Sequence, residues 1–265
     1  MIANVLSIAG SDPSGGAGIQ ADLKTFSARG TYGMAVLTAL TAQNTQGVTS
    51  VHNVPSAFVA EQIAAIFDDI AVGAIKIGMI ASADIAGAIS DSLRTQVQTP
   101  VVLDPVMVAK GGARLLPEDA IEAVRHELLP LAVLLTPNLP EAAALLDRPE
   151  AQSRDEMLAQ ANDLRALGPT AVLLKGGHLD GGDSPDLLVT AQGSTWIEGE
   201  RIDTRNTHGT GCTLSSAIAA EIAKGASIEE AVRTAKDYVT HAIAASGSLS
   251  VGSGHGPTHH FHAFW

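Results

Sequence analysis

Short apolar runs alternate with longer helical ones along the whole chain. The strand-like runs cover residues 5–9, 34–41, 74–77, 101–103, 133–135 and 171–174. The pattern predicts helices between them, at residues 19–29, 57–70, 83–97, 118–129 and 154–167. Most of the strands show no polar alternation, as expected when both faces of a strand are covered. The pattern predicts an α/β fold built on a doubly wound, mostly parallel sheet flanked by helices. It breaks at residues 186–191, 195–198 and 201–204, where short strands follow turns without helices, and these predict a short antiparallel edge. Helices at 213–224 and 228–245 then close the sheet. No linker or repeat interrupts residues 1–265, which predicts a single domain.

Polar and glycine-rich residues gather just after the strand ends. They are Gly10-Ser11-Asp12, Gln43-Asn44, Gly78-Met79, Asp104-Pro105, Thr136-Pro137-Asn138 and Lys175-Gly176-Gly177. Ligands of open α/β sheets bind at that edge. A further segment, Gly209-Thr210-Gly211-Cys212, precedes an Ala- and Leu-rich helix. Backbone amides at a helix start have no internal partner, so these residues predict an anion pocket. A thiol there is expected to have a lowered pKa and to act as base or nucleophile. The alternative is a small residue in a capping turn, since free cysteines are often inert packing.

The chain has 265 residues, net charge −12, 46% hydrophobic and only 3% aromatic residues. An acidic chain without stacking platforms is not expected to bind nucleic acid. A polyanionic ligand would instead need local lysines, amides and a divalent metal. One cysteine fits a reducing cytosol. With no basic residue before Lys24 and no apolar run of membrane-spanning length, the sequence predicts a cytoplasmic protein with no membrane partner.

The loop at residues 10–18 contains Gly16-Ala17-Gly18-Ile19-Gln20-Ala21, a formal match to a dinucleotide fingerprint. That fingerprint needs an acid about twenty residues on, and none occurs between Asp22 and Glu61. An NAD-dependent oxidoreductase is therefore the weaker reading. No Gly-x-x-x-x-Gly-Lys-Ser/Thr string occurs. Asp104 before Pro105 reads as a carboxylate able to hold Mg²⁺ through water, or as a turn-starting Asp-Pro. Asn138-Leu139-Pro140-Glu141 reads as a capping box, a role compatible with ordering metal-bound water. Lys175 ends an apolar strand, where a cation is expensive unless it meets an anion. Lys236 lies in a helix and reads equally as solvated. The tail histidines 255, 259, 260 and 262 are expected to cap and pack.

Taken in order, GSDPSGGAGIQADL (10–23), TAQNT (41–45), DPVM (104–107), TPNLPEAAA (136–144), KGGH (175–178), THGTGCTL (207–214) and the HHFHAFW tail resemble one known family. It is that of the hydroxymethylpyrimidine/phosphomethylpyrimidine kinases of thiamine biosynthesis, of ribokinase-like fold. The resemblance implies ATP-dependent phosphorylation of the hydroxymethyl group of 4-amino-5-hydroxymethyl-2-methylpyrimidine, then a second phosphorylation to the diphosphate. It makes Gly209, Thr210, Gly211 and Cys212 the anion hole, with Cys212 the candidate base. It assigns Lys175, Lys236 and Thr136 to ATP, and Asp104, Asn138 and Glu141 to Mg²⁺. Gln43 and Asp22 would hydrogen-bond the aminopyrimidine, with Ala17, Met79 and Val106 along its faces. Lys110-Gly111-Gly112 would belong to a lid that excludes water. A homodimer is the family's expectation. Related pyridoxal kinases carry an extra flap cysteine, where this chain has Ala109 and no second cysteine.

Overall fold

The computed structural model describes residues 1–96, 98–108, 115–177, 179 and 184–265. The expected lid residues Lys110, Gly111 and Gly112, together with Ala109 and His178, lie outside them. Five parallel crossings build the sheet. The strands are β1 (Asn4–Ser11), β2 (Tyr32–Asn44), β3 (Gly47–Asn53), β4 (Ala74–Ile77), β5 (Val101–Leu103), β6 (Leu134–Leu135), β7 (Ala171–Lys175), β8 (Asp186–Thr190) and β9 (Gly193–Ile197). The helices are α1 (Gly18–Ala28), α2 (Ser56–Phe67), α3 (Ala83–Leu93), α4 (Glu118–Ala123), α5 (Leu139–Leu146), α6 (Arg154–Ala166), α7 (Thr210–Ala223) and α8 (Ile228–Ala244). The sheet order is β3-β2-β1-β4-β5-β6-β7-β8-β9. Strands β2, β1, β4, β5, β6 and β7 pair in parallel, and β3, β8 and β9 add antiparallel edges.

Alternation within the strands splits the core into two layers. Leu6 and Ile8 of β1, Ile75 and Ile77 of β4, and Val172 and Leu174 of β7 join the apolar layer of α2 to α6. Val5, Ala74, Val102, Leu134, Ala171 and Leu173 join the layer of α1, α7 and α8. Each fully buried Leu, Ile or Val contributes about 1.5–3 kcal/mol relative to exposure, which is why the short strands β5 and β6 hold with few backbone bonds. The chain turns left from β1 to β2 and right to β4, so the order reverses beside β1. Crevices for ligands open at the carboxyl ends of strands at such a reversal.

Four local expectations change. Residues 201–204 form no strand, so the antiparallel edge on that side is β8 and β9 alone. Strand β3 is additional, and its mostly exposed GVTSVHN sequence gives little hydrophobic signal because the ladder to β2 holds it. Helix α4 gives way after Ala123 to a π turn at Val124–Leu128 and a tight turn around Pro130. Helix α3 stops at Leu93, short of residue 97.

The tail packs as expected. Tyr238 Oη donates to His260 O at 2.6 Å, and His260 Nε2 lies 3.2 Å from Thr213 Oγ1. Burial first, then the charges of Lys24 and His259, push His260 down from 6.5 to about 3. Between those two values the unfolded chain takes up a proton that the folded chain refuses, so stability is lost as pH falls from 6.5 toward 3. The urea midpoint should therefore drop between pH 7 and pH 4.5, and drop less in His260→Gln. Equal drops in both proteins would sink this assignment.

Candidate active site

A cavity of about 1480 Å³ opens at the carboxyl ends of the parallel strands. The loop after β1 forms one wall, and Asp12 organises it. Its carboxylate accepts from Ser14 N at 2.9 Å, Ser14 Oγ at 2.7 Å, Gly16 N at 3.2 Å and Ala17 N at 2.8 Å. His208 Nε2 approaches the same carboxylate at 2.8 Å. Burial would raise the Asp12 pKa, but the bonds from His208 and Ser14 hold it at about 2. The carboxylate is thus charged, and His208 Nε2 donates to it.

Gly209 caps the start of helix α7, and its φ of +77° is left-handed. A Cβ there would collide with Gly16 O, so glycine brings the anion segment against the first loop. The Thr210 N–H turns back to Thr207 O at 3.3 Å. Among the described residues, the N–H groups of Gly209, Gly211 and Cys212 have no hydrogen-bond partner. Those three are the amides left to an anion, while Thr210 shapes the turn.

Cys212 corrects an expectation. Burial first, joined by the negative charges of Asp22 and Asp104 and opposed by Lys76, pushes its thiol up from 9.0 to about 11. The helix start does not overcome that desolvation, and the group is a neutral thiol at pH 7. Alkylation of this single cysteine by iodoacetamide should climb about tenfold per pH unit until near pH 11; a plateau below pH 9 would contradict the raised pKa. Cys212→Ala should lower turnover while the ATP KM stays within about twofold, because the backbone amides survive.

Opposite the loop, β5, β7 and α5 converge. Lys175 Nζ donates to Asp104 Oδ1 at 3.0 Å and lies 3.8 Å from Glu141 Oε2. Both carboxylates hold the Lys175 pKa above its ordinary range against its burial. Asp104, 1% exposed, also accepts from Thr136 Oγ1 at 3.2 Å and Ser215 Oγ at 3.3 Å. Burial tends to raise Asp104, and Lys175 and Lys76 reverse that, leaving it below its ordinary value. Glu141 goes the other way, to about 7, because burial and the Asp104 charge outweigh Lys175. The capping box is real: Asn138 N donates to Glu141 Oε2, and Glu141 N to Asn138 Oδ1, each at 2.8 Å. Asn138, Glu141 and Asp104 nevertheless all border the cavity. Across it, Lys236 Nζ is held by Asp186 Oδ2 at 2.6 Å and Ser184 O at 3.0 Å, so it is not simply solvated.

Gln43, Ala17, Met79 and Val106 border the cavity as well. Thr41 Oγ1 donates to Ser11 O at 2.8 Å, and the Gln43 amide lies between that hydroxyl, 3.2 Å away, and His208 Nε2, 3.4 Å away. Met79 O accepts from Gly10 N at 3.1 Å and Thr38 Oγ1 at 2.6 Å, fixing that wall. Two expected contacts move out of the site. Asp22 is fully buried beneath the floor, where Lys76, Ser7 and Ser216 occupy its oxygens, and it does not border the cavity. Thr136 is fully buried behind Asp104 and supports that carboxylate instead of meeting ATP. Sequence reasoning placed Asp12 at the ligand edge without giving it a role, and it missed His208 and Lys76. Only the Lys inside the apolar run Ala74–Ile77 carried a signal, as a cation in a buried strand.

Among the described residues, no three His, Cys, Asp or Glu side chains gather to hold a metal directly. Asp104 and Glu141, two carboxylates side by side at the cavity, fit a divalent ion held through water and ligand oxygens.

Comparison with known proteins agrees with this geometry. A family described as phosphomethylpyrimidine kinase matches residues 12–259. The hydroxymethylpyrimidine/phosphomethylpyrimidine kinase of Salmonella typhimurium is 54% identical over 262 residues, 99% of this chain and 98% of that protein. The solved phosphomethylpyrimidine kinase of Clostridium difficile is 45% identical with a TM-score of 0.81, over 91% of this chain and 99% of that one. An ADP complex of Bacillus subtilis pyridoxal kinase is 39% identical with a TM-score of 0.90, over 99% of both chains. With a nine-stranded ribokinase-like sheet, an amide cluster at the start of α7 and a family match over nearly its whole length, this chain belongs to the phosphomethylpyrimidine kinase family.

Proposed function

We propose that the chain, working as a single kinase domain, uses ATP to phosphorylate 4-amino-5-hydroxymethyl-2-methylpyrimidine and then phosphorylates the product to the diphosphate. The observation that carries this reading is the meeting, in one cavity, of unpartnered amides, two lysines and the Gln43 side-chain amide. Phosphoryl transfer is mostly positioning and charge stabilisation, so those groups do the chief work. The amides of Gly209, Gly211 and Cys212 receive the transferring group, and Lys175 and Lys236 neutralise donor phosphates. Asp104, Asn138 and Glu141 would order Mg²⁺ through water, and the ion would supply further charge neutralisation. Gln43 selects a polar ring between Ala17, Met79 and Val106. With the thiol pushed up to about 11, Cys212 at pH 7 can accept the hydroxyl proton only through its small thiolate fraction, since the neutral thiol has no site for it.

Pyridoxal is the second reading, favoured by the likeness to the Bacillus subtilis enzyme. Against it stands the single cysteine, Cys212, which leaves none to capture an aldehyde from a flap. Incubation with Mg-ATP and either the pyrimidine alcohol or pyridoxal, with products identified by mass, tests the choice. Phosphorylated pyrimidine as the main product supports the proposal, and pyridoxal phosphate alone overturns it. Gln43→Ala should raise the pyrimidine KM by roughly five- to 150-fold, a loss of ~1–3 kcal/mol, and leave the ATP KM nearly unchanged. Equal effects on both substrates would make Gln43 a structural residue. The reading also carries a homodimer in the cytoplasm, and sedimentation of the purified protein checks the former.

A further inference from the structure

Beneath the cavity floor lies a charge pair that the reaction as described does not use. Lys76 of β4 is fully buried and faces the layer of α1 and α7. Its Nζ donates to Asp22 Oδ1 at 3.0 Å and Oδ2 at 2.9 Å. Ser7 Oγ donates to Asp22 Oδ2 at 2.6 Å, and Ser216 Oγ to Oδ1 at 2.7 Å. The carboxylate is thus saturated on the far side from the cavity, while Lys76 borders the cavity and Asp22 does not. The ammonium also reaches along the strand toward its carboxyl end, since a Cβ on Gly78 would come within 2.6 Å of it. The ionisable groups near enough to feel its charge, besides Asp22, are Asp104 and Cys212. A buried ion pair is weak support for stability, because apolar residues of similar volume do as well or better. An oriented one with its positive end under an anion pocket has an electrostatic use, since low surrounding polarity lets its field reach further than in water.

We infer that Lys76 is a positioning residue of the phosphoryl-transfer site: Asp22 holds its ammonium under the Gly209–Cys212 segment, where its charge favours the terminal phosphate of the nucleotide. This role rests on the kinase reading above. It is separable by measuring, with Mg²⁺ present, the affinities for adenosine, ADP and a non-hydrolysable ATP analogue. The ratio of analogue to ADP affinity isolates the terminal phosphate. Lys76→Met alone strands a buried carboxylate and risks unfolding, so the double variant Lys76→Met/Asp22→Asn carries the test, beside Asp22→Asn alone. The double variant should lower the ratio about fivefold or more, and Asp22→Asn, which leaves the cation uncompensated, should raise it by a similar factor. Adenosine affinity should stay within about twofold in both. Loss of affinity for all three ligands together, an unchanged ratio, or shifts of one sign in both variants would overturn the inference. Wild-type protein that binds adenosine more tightly than the analogue would remove the kinase reading itself, and with it this role for Lys76.

Discussion

Lys175→Met should reduce turnover by at least ~10²–10³, the scale seen when a charge-stabilising donor is lost from a reacting site. It should also destabilise the fold by ~3–5 kcal/mol, because it strands a buried carboxylate. The two effects share one cause. Asp104 is 1% exposed and kept charged chiefly by the ammonium 3.0 Å away, and Glu141 is partly protonated near pH 7 only because Lys175 counters its burial incompletely. Without the lysine, both acids face each other without a cation between them, and phosphate meets negative charge where it met positive. Urea unfolding and steady-state kinetics on the same preparation measure both losses. A variant as stable as wild type, or one keeping a tenth of its turnover, would show that Lys175 is peripheral to the site.

Gly209→Ala should be nearly as damaging to turnover, again by ~10²–10³, through geometry instead of charge. Its backbone is left-handed, and the added methyl would run into Gly16 O. Relief requires moving the start of α7 away from the first loop, and the amides of Gly211 and Cys212 move with it. Gly225→Ala is the control, since its φ of +96° is also left-handed but nothing lies within 4 Å of the added carbon. That variant should lose about 1 kcal/mol of stability or somewhat more and keep its turnover. Similar kinetics for the two variants would mean that backbone strain, and not displacement of the anion segment, sets the loss.

Much of this arrangement was readable from the residues. Uniformly apolar runs such as residues 171–174 have no other comfortable place than a sheet covered on both faces, and they set the order of strands and helices. Lys175 at the end of such a run announced an anion, although its partners Asp104 and Glu141 come from strands and helices distant in sequence. Strand β3 escaped because an exposed edge strand needs no apolar alternation. The long-range contacts explain the other gaps. Nothing near Asp22 in the sequence says that Lys76 will reach it across 54 positions, nor that His208 will close on Asp12 across 196. The thiol of Cys212 was misjudged for the same reason. Its local setting at a helix start argues for a lowered pKa, while the burial supplied by the rest of the fold argues more strongly for a raised one.

On the proposed reading, one cavity carries out both transfers. The acceptor changes from a neutral alcohol to a phosphate monoester carrying about two negative charges, and the amides, Lys175 and Lys236 offer positive potential that an overall acidic chain otherwise lacks. Supplying the pure pyrimidine monophosphate with Mg-ATP and following diphosphate by mass is the most direct measurement. Wild-type protein should yield diphosphate, and Cys212→Ala should form both mono- and diphosphate more slowly. A preparation that converts the alcohol to monophosphate, yet never yields diphosphate at high Mg-ATP, would contradict that reading.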